Sequence, residues 1–298
     1  LTAIGDVLMA TPVARALRTA FPEAYIAWAV EKKAADVVLG NPYLNDVIVW
    51  QRSVSGSMPR KIGHFARSAF ALRRRLRAGR FDVCVDLQGL IRSAAVSLIS
   101  GARHRIGFAD GAEGSPLLYH TKFHPESPEL NAQQRNLDIL RTIGVHSVDT
   151  AMHMPVGEED HAFAVSFFRE HGLEGQRVVA FCPATTWANK HWTPEGWAGV
   201  ADALWDGYGI RSLILGSAAD VRLAEAVAGL AREKPVISAG RTTLKQAGAI
   251  MMRSAAVVGV DTGLLHMAVA LDRPAVGLFG ASAWRCFLKK PNFVWVAK

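Results

Sequence analysis

Residues 255–280, AAVVGVDTGLLHMAVALDRPAVGLFG, constrain the fold more than any other stretch of the sequence. Residues 257–260 are a short apolar run that reads as a buried strand. Asp261-Thr262-Gly263 turns the chain, residues 264–271 carry apolar side chains at helical spacing, and Arg273-Pro274 stops them. Residues 275–279 form a second apolar run. Strand, short helix and strand at this spacing predict a parallel β-α-β unit. The Asp-Thr-Gly turn then lies at a strand's carboxyl end and a helix's amino end, the edge where open α/β sheets bind ligands. Helix amino ends carry unpaired N–H groups and the positive end of the dipole, which suits a phosphate. The same tripeptide also reads as an ordinary N-cap. His266, one turn into the helix, can face the same crevice and favours a site.

The α/β rhythm runs through the whole chain. Residues 7–20 follow an amphipathic helical pattern, with Val7, Ala10, Ala14 and Leu17 on one face. Pro12 is expected in its first turns, where proline is tolerated best. Gly5 and Asp6 stand just ahead, as in the first βα turn of a nucleotide-type fold. No strand precedes them and the first residue is Leu1, not Met, so the expectation is a sequence lacking its natural amino terminus. Asp6 reads either as a helix cap or as a carboxylate facing a cleft, where it would serve as a general base. Strands at 25–30 and 47–50 flank a short helix at 32–39. Residues 52–63, with Arg52, Arg60 and Lys61, read as a mobile basic loop. Residues 65–80 are helical, with Phe65, Ala69, Leu72 and Leu76 on one face. Arg67, Arg73, Arg74, Arg75 and Arg77 cover the rest, either as a solvated face or as a patch for an anionic membrane surface. A strand at 81–87 and a helix at 90–100 place Asp86, Gln88 and Arg92 at a strand's carboxyl end. A strand at 105–108, a loop at 109–128 and a helix at 131–143 close the first half.

The rhythm restarts after a boundary at 147–159. A helix at 158–171 and a strand at 178–182 lead into a loop holding Thr185, Thr186 and Lys190. Two hydroxyls and a lysine can bond phosphate oxygens. With the Asp261 turn, this gives two phosphate-competent loops on one sheet edge. His191 reads as a partner for backbone, and Trp187, Trp192 and Trp197 as packing residues. Thr193-Pro194 starts a helix, with Pro at its first position and Glu195 favoured by the dipole. A strand at 211–215, a helix at 220–231, a short strand at 236–238 and a helix at 243–252 follow. A chain of 298 residues is long for one core. The expected division is 1–150 and 151–298, two similar sheet domains facing a cleft.

Composition narrows the partners. The net charge of +8 favours anionic ligands, and no zinc-finger or RNP-type motif points to nucleic acid. Cys84, Cys182 and Cys286 stand far apart, which argues against a disulfide framework or a zinc site and fits a reducing compartment. No signal peptide is visible, and no apolar run approaches the ~20 residues of a membrane span.

Four segments in register resemble the glycosyltransferases that include the lipopolysaccharide heptosyltransferases. They are Ile4-Gly-Asp-Val-Leu-Met-Ala-Thr-Pro12, Asp86-Leu-Gln-Gly-Leu-Ile-Arg-Ser93, Ala184-Thr-Thr-Trp-Ala-Asn-Lys-His-Trp192 and Val260-Asp-Thr-Gly-Leu-Leu-His266. The resemblance implies an α/β GT-B fold: two Rossmann-like domains with parallel sheets facing a central cleft, the first binding acceptor and the second a nucleotide-sugar donor. It implies transfer of heptose, with inversion, from ADP-heptose to the Kdo or heptose of the lipopolysaccharide inner core. No cofactor and no essential metal are expected. Asp6 falls at the family's catalytic aspartate, and Lys190 at the lysine by the donor diphosphate, beside Thr185 and Thr186. Asp220 falls near an acidic position that holds the ribose. Asp261, Thr262, Gly263 and His266 match the donor-binding turn. Gly5, Arg60, Lys61, Gln88 and Arg92 are expected on the acceptor side. The implied partners are an ADP-sugar and an anionic lipopolysaccharide precursor, met by a cytoplasmic protein peripheral to the inner membrane, with no transmembrane segment. After Gly280 the run Ala281-Ser-Ala-Trp-Arg departs from the family's Pro-Thr-Asp-Pro-like pattern. The sequence also stops at Lys298, ahead of the helix that crosses back to the first domain in the family. An epimerase-like nucleotide-sugar enzyme and a non-catalytic nucleotide-sugar-binding relative would share the architecture.

Overall fold

The structure, a computed structural model, describes residues 3–52, 54–55, 57–127, 130–280 and 291–297, with Ala188 described by its backbone. Residues 281–285, where the sequence leaves the family pattern, and Cys286 lie outside these. The chain divides into two compact units, Leu1–Met152 and His153–Lys298.

The first unit runs α1 (Ile4–Ala20), β1 (Ala27–Glu31), a 3-10 segment (Lys32–Val37), β2 (Asp46–Trp50), α2 (Met58–Ala78), β3 (Val83–Val85), α3 (Ile91–Ser100), β4 (His104–Phe108), β5 (Thr121–Phe123) and α4 (Ala132–Asp138), prolonged by a 3-10 turn (Ile139–Ile143). Its parallel strands fall into a pair, β1-β2, and a trio, β3-β4-β5. Helix α1 is not one-faced as its pattern predicts. Gly5, Leu8, Met9, Thr11 and Pro12 are buried along with Val7, Ala10 and Ala14, because small residues let neighbours close in on several sides. Pro12 lies well inside the helix, not in its first turns. A proline there cannot bond the carbonyl four residues back. The Thr11 hydroxyl instead donates to that oxygen, Leu8 O, at 2.7 Å.

Two further expectations change in this unit. Helix α2 begins at Met58, so Arg60 and Lys61 stand on a helical turn and not in a loop. Pro59 suits a first turn, and Ser57 takes the extended N-cap conformation ahead of it. The segment at 109–128 is not all loop: β5 pairs with β4 from Ile106↔Thr121 to Phe108↔Phe123. Three residues are too few to display an alternation. One core gathers Val13, Ile106, Phe108, Leu137 and Leu140. A second gathers Ile48, Leu72 and Leu76, with Trp50, Phe81 and Val96 packed against it.

The second unit runs α5 (Glu158–Glu170), β6 (Val178–Cys182), α6 (Pro194–Tyr208), β7 (Arg211–Ile214), α7 (Val221–Leu230), β8 (Val236–Ile237), α8 (Leu244–Arg253), β9 (Ala256–Val260), α9 (Gly263–Ala270), β10 (Ala275–Phe279) and β11 (Phe293–Ala297). All its described strands are parallel, in the order β11-β10-β9-β6-β7-β8. Counted within the unit, this is the Rossmann order 3-2-1-4-5-6, which reverses between β6 and β9. Strand β11 is an edge strand that the apolar run ending at Phe279 did not announce; Phe293 faces inward while Val294 and Val296 are exposed. The core packs Phe181 against fully buried Trp197, ring centroids 5.2 Å apart, with Ile214, Val227 and Val260 around them. Gly259 lets β6 and β9 approach: a Cβ there would meet the Cys182 Cβ at 3.1 Å.

Candidate functional site

Strands β6 and β9 are neighbours in register, Cys182 opposite Gly259, so the loops that leave them emerge side by side. Side chains then tie the loops together. The Thr185 hydroxyl donates to the Asp261 carbonyl oxygen at 3.0 Å. Lys190 Nζ donates to Asp261 Oδ2 at 2.5 Å. His266 Nε2 lies 3.7 Å from Asp261 Oδ1. Thr185, Lys190, Asp261 and His266 thus come together where the strand order reverses, the ligand-binding edge of such a sheet. The ammonium and carboxylate are both partly buried, so water screens them less than an exposed pair.

Thr185 is a strut in this arrangement. Its hydroxyl hydrogen goes to backbone, not outward, while Thr186 is exposed. His191 also serves backbone, its Nε2 2.8 Å from Thr185 O. In the neighbouring loop, after β7, Ser217 N and Oγ each donate to Asp220 Oδ2 at 2.7 Å, so Asp220 caps its own turn. Trp192 and Trp197 pack edge to face at 5.6 Å. Trp187 does not pack as expected; it is 65% exposed beside Lys190.

Helix α9 differs from its neighbours at its amino end. Thr193 caps α6 by accepting from Gly196 N, and Thr243 caps α8 by accepting from Gln246 N, each at 3.2 Å. Thr262 holds the same position on α9 with no side-chain cap bond. The amino end of α9 therefore has no side-chain oxygen over it, only the Thr262 carbonyl accepting from Leu265 N at 3.1 Å, and the dipole adds positive potential there, two residues past the Asp261 that holds Lys190.

In the first unit a hydrogen-bonded turn follows β3. Buried Asp86 accepts from Gln88 N at 2.9 Å and Gly89 N at 3.3 Å through Oδ1. Its Oδ2 accepts from the Tyr119 hydroxyl at 2.7 Å. The Ser115 hydroxyl donates to Gly89 O at 2.9 Å, and Gly89 takes φ +69°, a left-handed conformation suited to glycine. This network presents Gln88, partly buried, and Arg92, exposed on the first turn of α3. Burial, and then the Asp86 charge, push the Tyr119 phenol up, so it remains a protonated donor. Burial likewise raises the Cys84 thiol. Tyr119 escaped the sequence reading because it stands 33 positions beyond Asp86, past a helix, a strand and a glycine-containing loop. Gly5 and Asp6 lie in the first turn of α1, Gly5 buried and Asp6 partly buried. Arg60 and Lys61 are exposed on the first turn of α2. Among the described residues, no three His, Cys, Asp or Glu side chains are grouped to hold a metal ion. No described helix is long and apolar enough to cross a membrane.

A Rossmann-ordered sheet with a lysine and an uncapped helix end at its switch point defines a protein of the nucleotide-binding α/β class. The sequence model of glycosyltransferase family 9 (heptosyltransferase) matches residues 69–287, and the chain belongs to that family of GT-B enzymes. Lipopolysaccharide heptosyltransferase 1 of Salmonella typhimurium is 26% identical over 292 residues, covering 94% of this chain and 86% of that protein. Lipopolysaccharide heptosyltransferase 2 of Escherichia coli K12 is 26% identical over 298 residues, covering 94% and 81%. Among solved structures, a family 9 glycosyl transferase from Veillonella parvula aligns with TM-score 0.84 and 22% identity over 100% of this chain and 84% of its own, a likeness of fold. The E. coli heptosyltransferase WaaC with ADP-2-deoxy-2-fluoro heptose aligns with TM-score 0.74 and 25% identity, covering 99% and 90%.

Proposed function

We propose that the protein transfers heptose from ADP-heptose to the lipopolysaccharide inner core, Kdo-lipid A or its heptosylated form, with inversion and with no cofactor or metal. The observation that carries this is the Lys190–Asp261 contact beside the uncapped end of α9, at the switch point of the second unit's sheet. A departing nucleoside diphosphate needs charge stabilisation already in place. Lys190 and the α9 amides supply it, and the exposed Thr186 adds a hydroxyl. Asp220 accepts a ribose hydroxyl while keeping its bonds to Ser217. Asp261 holds Lys190 in position, and His266 lies against the same carboxylate.

The attacking sugar hydroxyl is a poor nucleophile at neutral pH. A carboxylate within hydrogen-bond reach takes its proton as the new bond forms. We assign that role to Asp6, with Gly5 beside it, and acceptor binding to Gln88, Arg92, Arg60 and Lys61.

The protein meets its lipid acceptor through α2, from the cytoplasmic side of the inner membrane. Met58, Ile62, Phe65, Ala69, Leu72 and Leu76 form one stripe at helical spacing. Its carboxyl-terminal part enters the core through Leu72 and Leu76. Its amino-terminal part stays open, Met58 being 68%, Ile62 62% and Phe65 48% exposed, with Arg60 and Lys61 alongside. An apolar stripe flanked by basic residues is the pattern of a helix lying at a lipid interface. Arg75 and Arg77 are used within the unit instead, on Asp46 and on the Ile99 carbonyl. Incubating the protein with ADP-heptose and either Kdo-lipid A or its heptosylated form, then weighing the products, tests the assignment. One added heptose identifies reaction and acceptor. ADP-heptose consumed equally without acceptor would overturn it.

A further inference from the structure

Three tryptophans stand between the end of β6 and the first turn of α6, and their surroundings differ. Trp197 is fully buried, its ring 5.2 Å from that of Phe181. Trp192 meets Trp197 edge to face at 5.6 Å and lies over Gly196, where a Cβ would come within 2.5 Å of its ring. Trp187 is 65% exposed. Tryptophan is highly buried on average, because so large an apolar surface is costly to leave in water. An indole held out from a ligand-binding loop is a group that a ligand covers.

The loop fixes where Trp187 stands. Its two ends are joined, His191 Nε2 lying 2.8 Å from Thr185 O. The Thr185 hydroxyl ties its start to the Asp261 carbonyl at 3.0 Å, and Lys190 ties its far side to the Asp261 carboxylate at 2.5 Å. Lys190 N also donates to Trp187 O at 3.0 Å, closing a turn with Trp187 at one end and Lys190 at the other. Such a turn brings its end Cα atoms within about 7 Å of each other. Backbone bonds therefore set Trp187 beside the ammonium assigned to the donor diphosphate. A loop ordered before binding spends little of a new contact's free energy on ordering itself.

We propose that Trp187 is the platform for the transferred sugar of the donor: its indole covers the C–H face of the sugar ring, and the contact lets the protein tell a nucleotide sugar from the bare nucleotide. The inference rests on the donor reading of this loop given above. The diphosphate of a nucleotide sugar has two neighbours, the ribose and the sugar. The ribose is assigned to Asp220 on the loop after β7, and β7 borders β6 on the side away from β9. The nucleoside therefore leaves Lys190 toward β7, and the base goes with it. The sugar is the neighbour left for the turn that carries Lys190. The face of an indole is apolar and holds the negative part of the ring quadrupole. A sugar ring turns carbon-bound hydrogens, apolar and slightly positive, toward one face and keeps its hydroxyls around the rim. An indole would stack on adenine as readily, so the decisive comparison is between the nucleotide with its sugar and without it.

Calorimetric titration of the 298-residue chain, Trp187→Ala and Trp187→Phe with ADP and with ADP-heptose, in the absence of acceptor, tests this. Trp187→Ala is expected to weaken ADP-heptose binding about tenfold and ADP binding less than about twofold. Trp187→Phe keeps a ring and should recover most of the loss. The fluorescence that Trp187 contributes, parent minus Trp187→Phe, should change on adding ADP-heptose and hold steady on adding ADP. Equal weakening of both ligands in Trp187→Ala overturns the proposal, because the indole would then stack on the nucleotide or merely support Lys190. A parent and a Trp187→Ala form that bind both ligands equally tightly overturn the role of Trp187 alone. A parent that binds neither ligand overturns the donor reading of the loop and, with it, the platform.

Discussion

The two units carry parallel sheets of different continuity. In the second, six strands in unbroken order bring the β6 and β9 loops together, and residues 71 positions apart meet as Lys190 and Asp261. In the first, the described strands form a pair and a trio, and the turn after β3 is held by a network through Asp86 and Tyr119. In the second unit sheet order brings the two loops side by side, and side-chain bonds then join them. A turn without that support is held by side chains that reach it from elsewhere in the chain.

The sharpest way to break this comparison is to remove the group assigned to chemistry in the first unit. Asp6→Asn keeps size but cannot take a proton, and turnover should fall by about 10²–10⁴-fold. ADP affinity, a property of the second unit, should hardly move. Steady-state rates beside ADP titrations decide it, and turnover within a few-fold of wild type removes Asp6 from the mechanism. Next in size is Lys190→Ala. Losing one charge-assisted hydrogen bond of about 1.5–3 kcal/mol should weaken ADP binding and slow turnover together. If ADP binds the variant as tightly as the parent, the β6 loop is not the diphosphate site.

Tyr119→Phe sharpens the comparison from the other side. It leaves a buried carboxylate oxygen short of a donor, at a cost of about 1–3 kcal/mol. The acceptor KM should rise while ADP affinity stays constant; a rise in ADP Kd would show that the effect is not confined to the first unit. The smallest effect on stability belongs to Ile62→Ser with Phe65→Ser. Both positions are exposed, so the fold should change by no more than about 0.5 kcal/mol for each. Co-sedimentation with anionic vesicles should nonetheless fall clearly, and binding equal to the parent at low and high salt would leave α2 as a solvated helix.

Much of the fold was legible in residues of one kind set between turns. Residues 178–182 and 275–279 are apolar runs with clear stops, and both became strands with those bounds. Thr193-Pro194 announced α6 through its cap. The start of α2 was obscured because Ser, Gly and Pro serve loops and first turns alike. The candidate site was legible as residue types on two loops, but not as a contact. Pairing Lys190 with Asp261 depends on β6 lying beside β9, which is a property of strand order and not of either loop. Thr262 shows the same boundary: its sequence suits a cap as well as Thr193 does, and only the geometry separates them.

The hydroxyl that Thr11 lends to Leu8 O also restricts how this sequence can change over time. While Pro12 remains, replacing Thr11 by Val strands a buried carbonyl, at a cost of about 1–3 kcal/mol. Were Pro12 replaced by Ala first, a backbone N–H would reach that oxygen and the hydroxyl would become dispensable. The same two substitutions are therefore passable in one order and obstructed in the other.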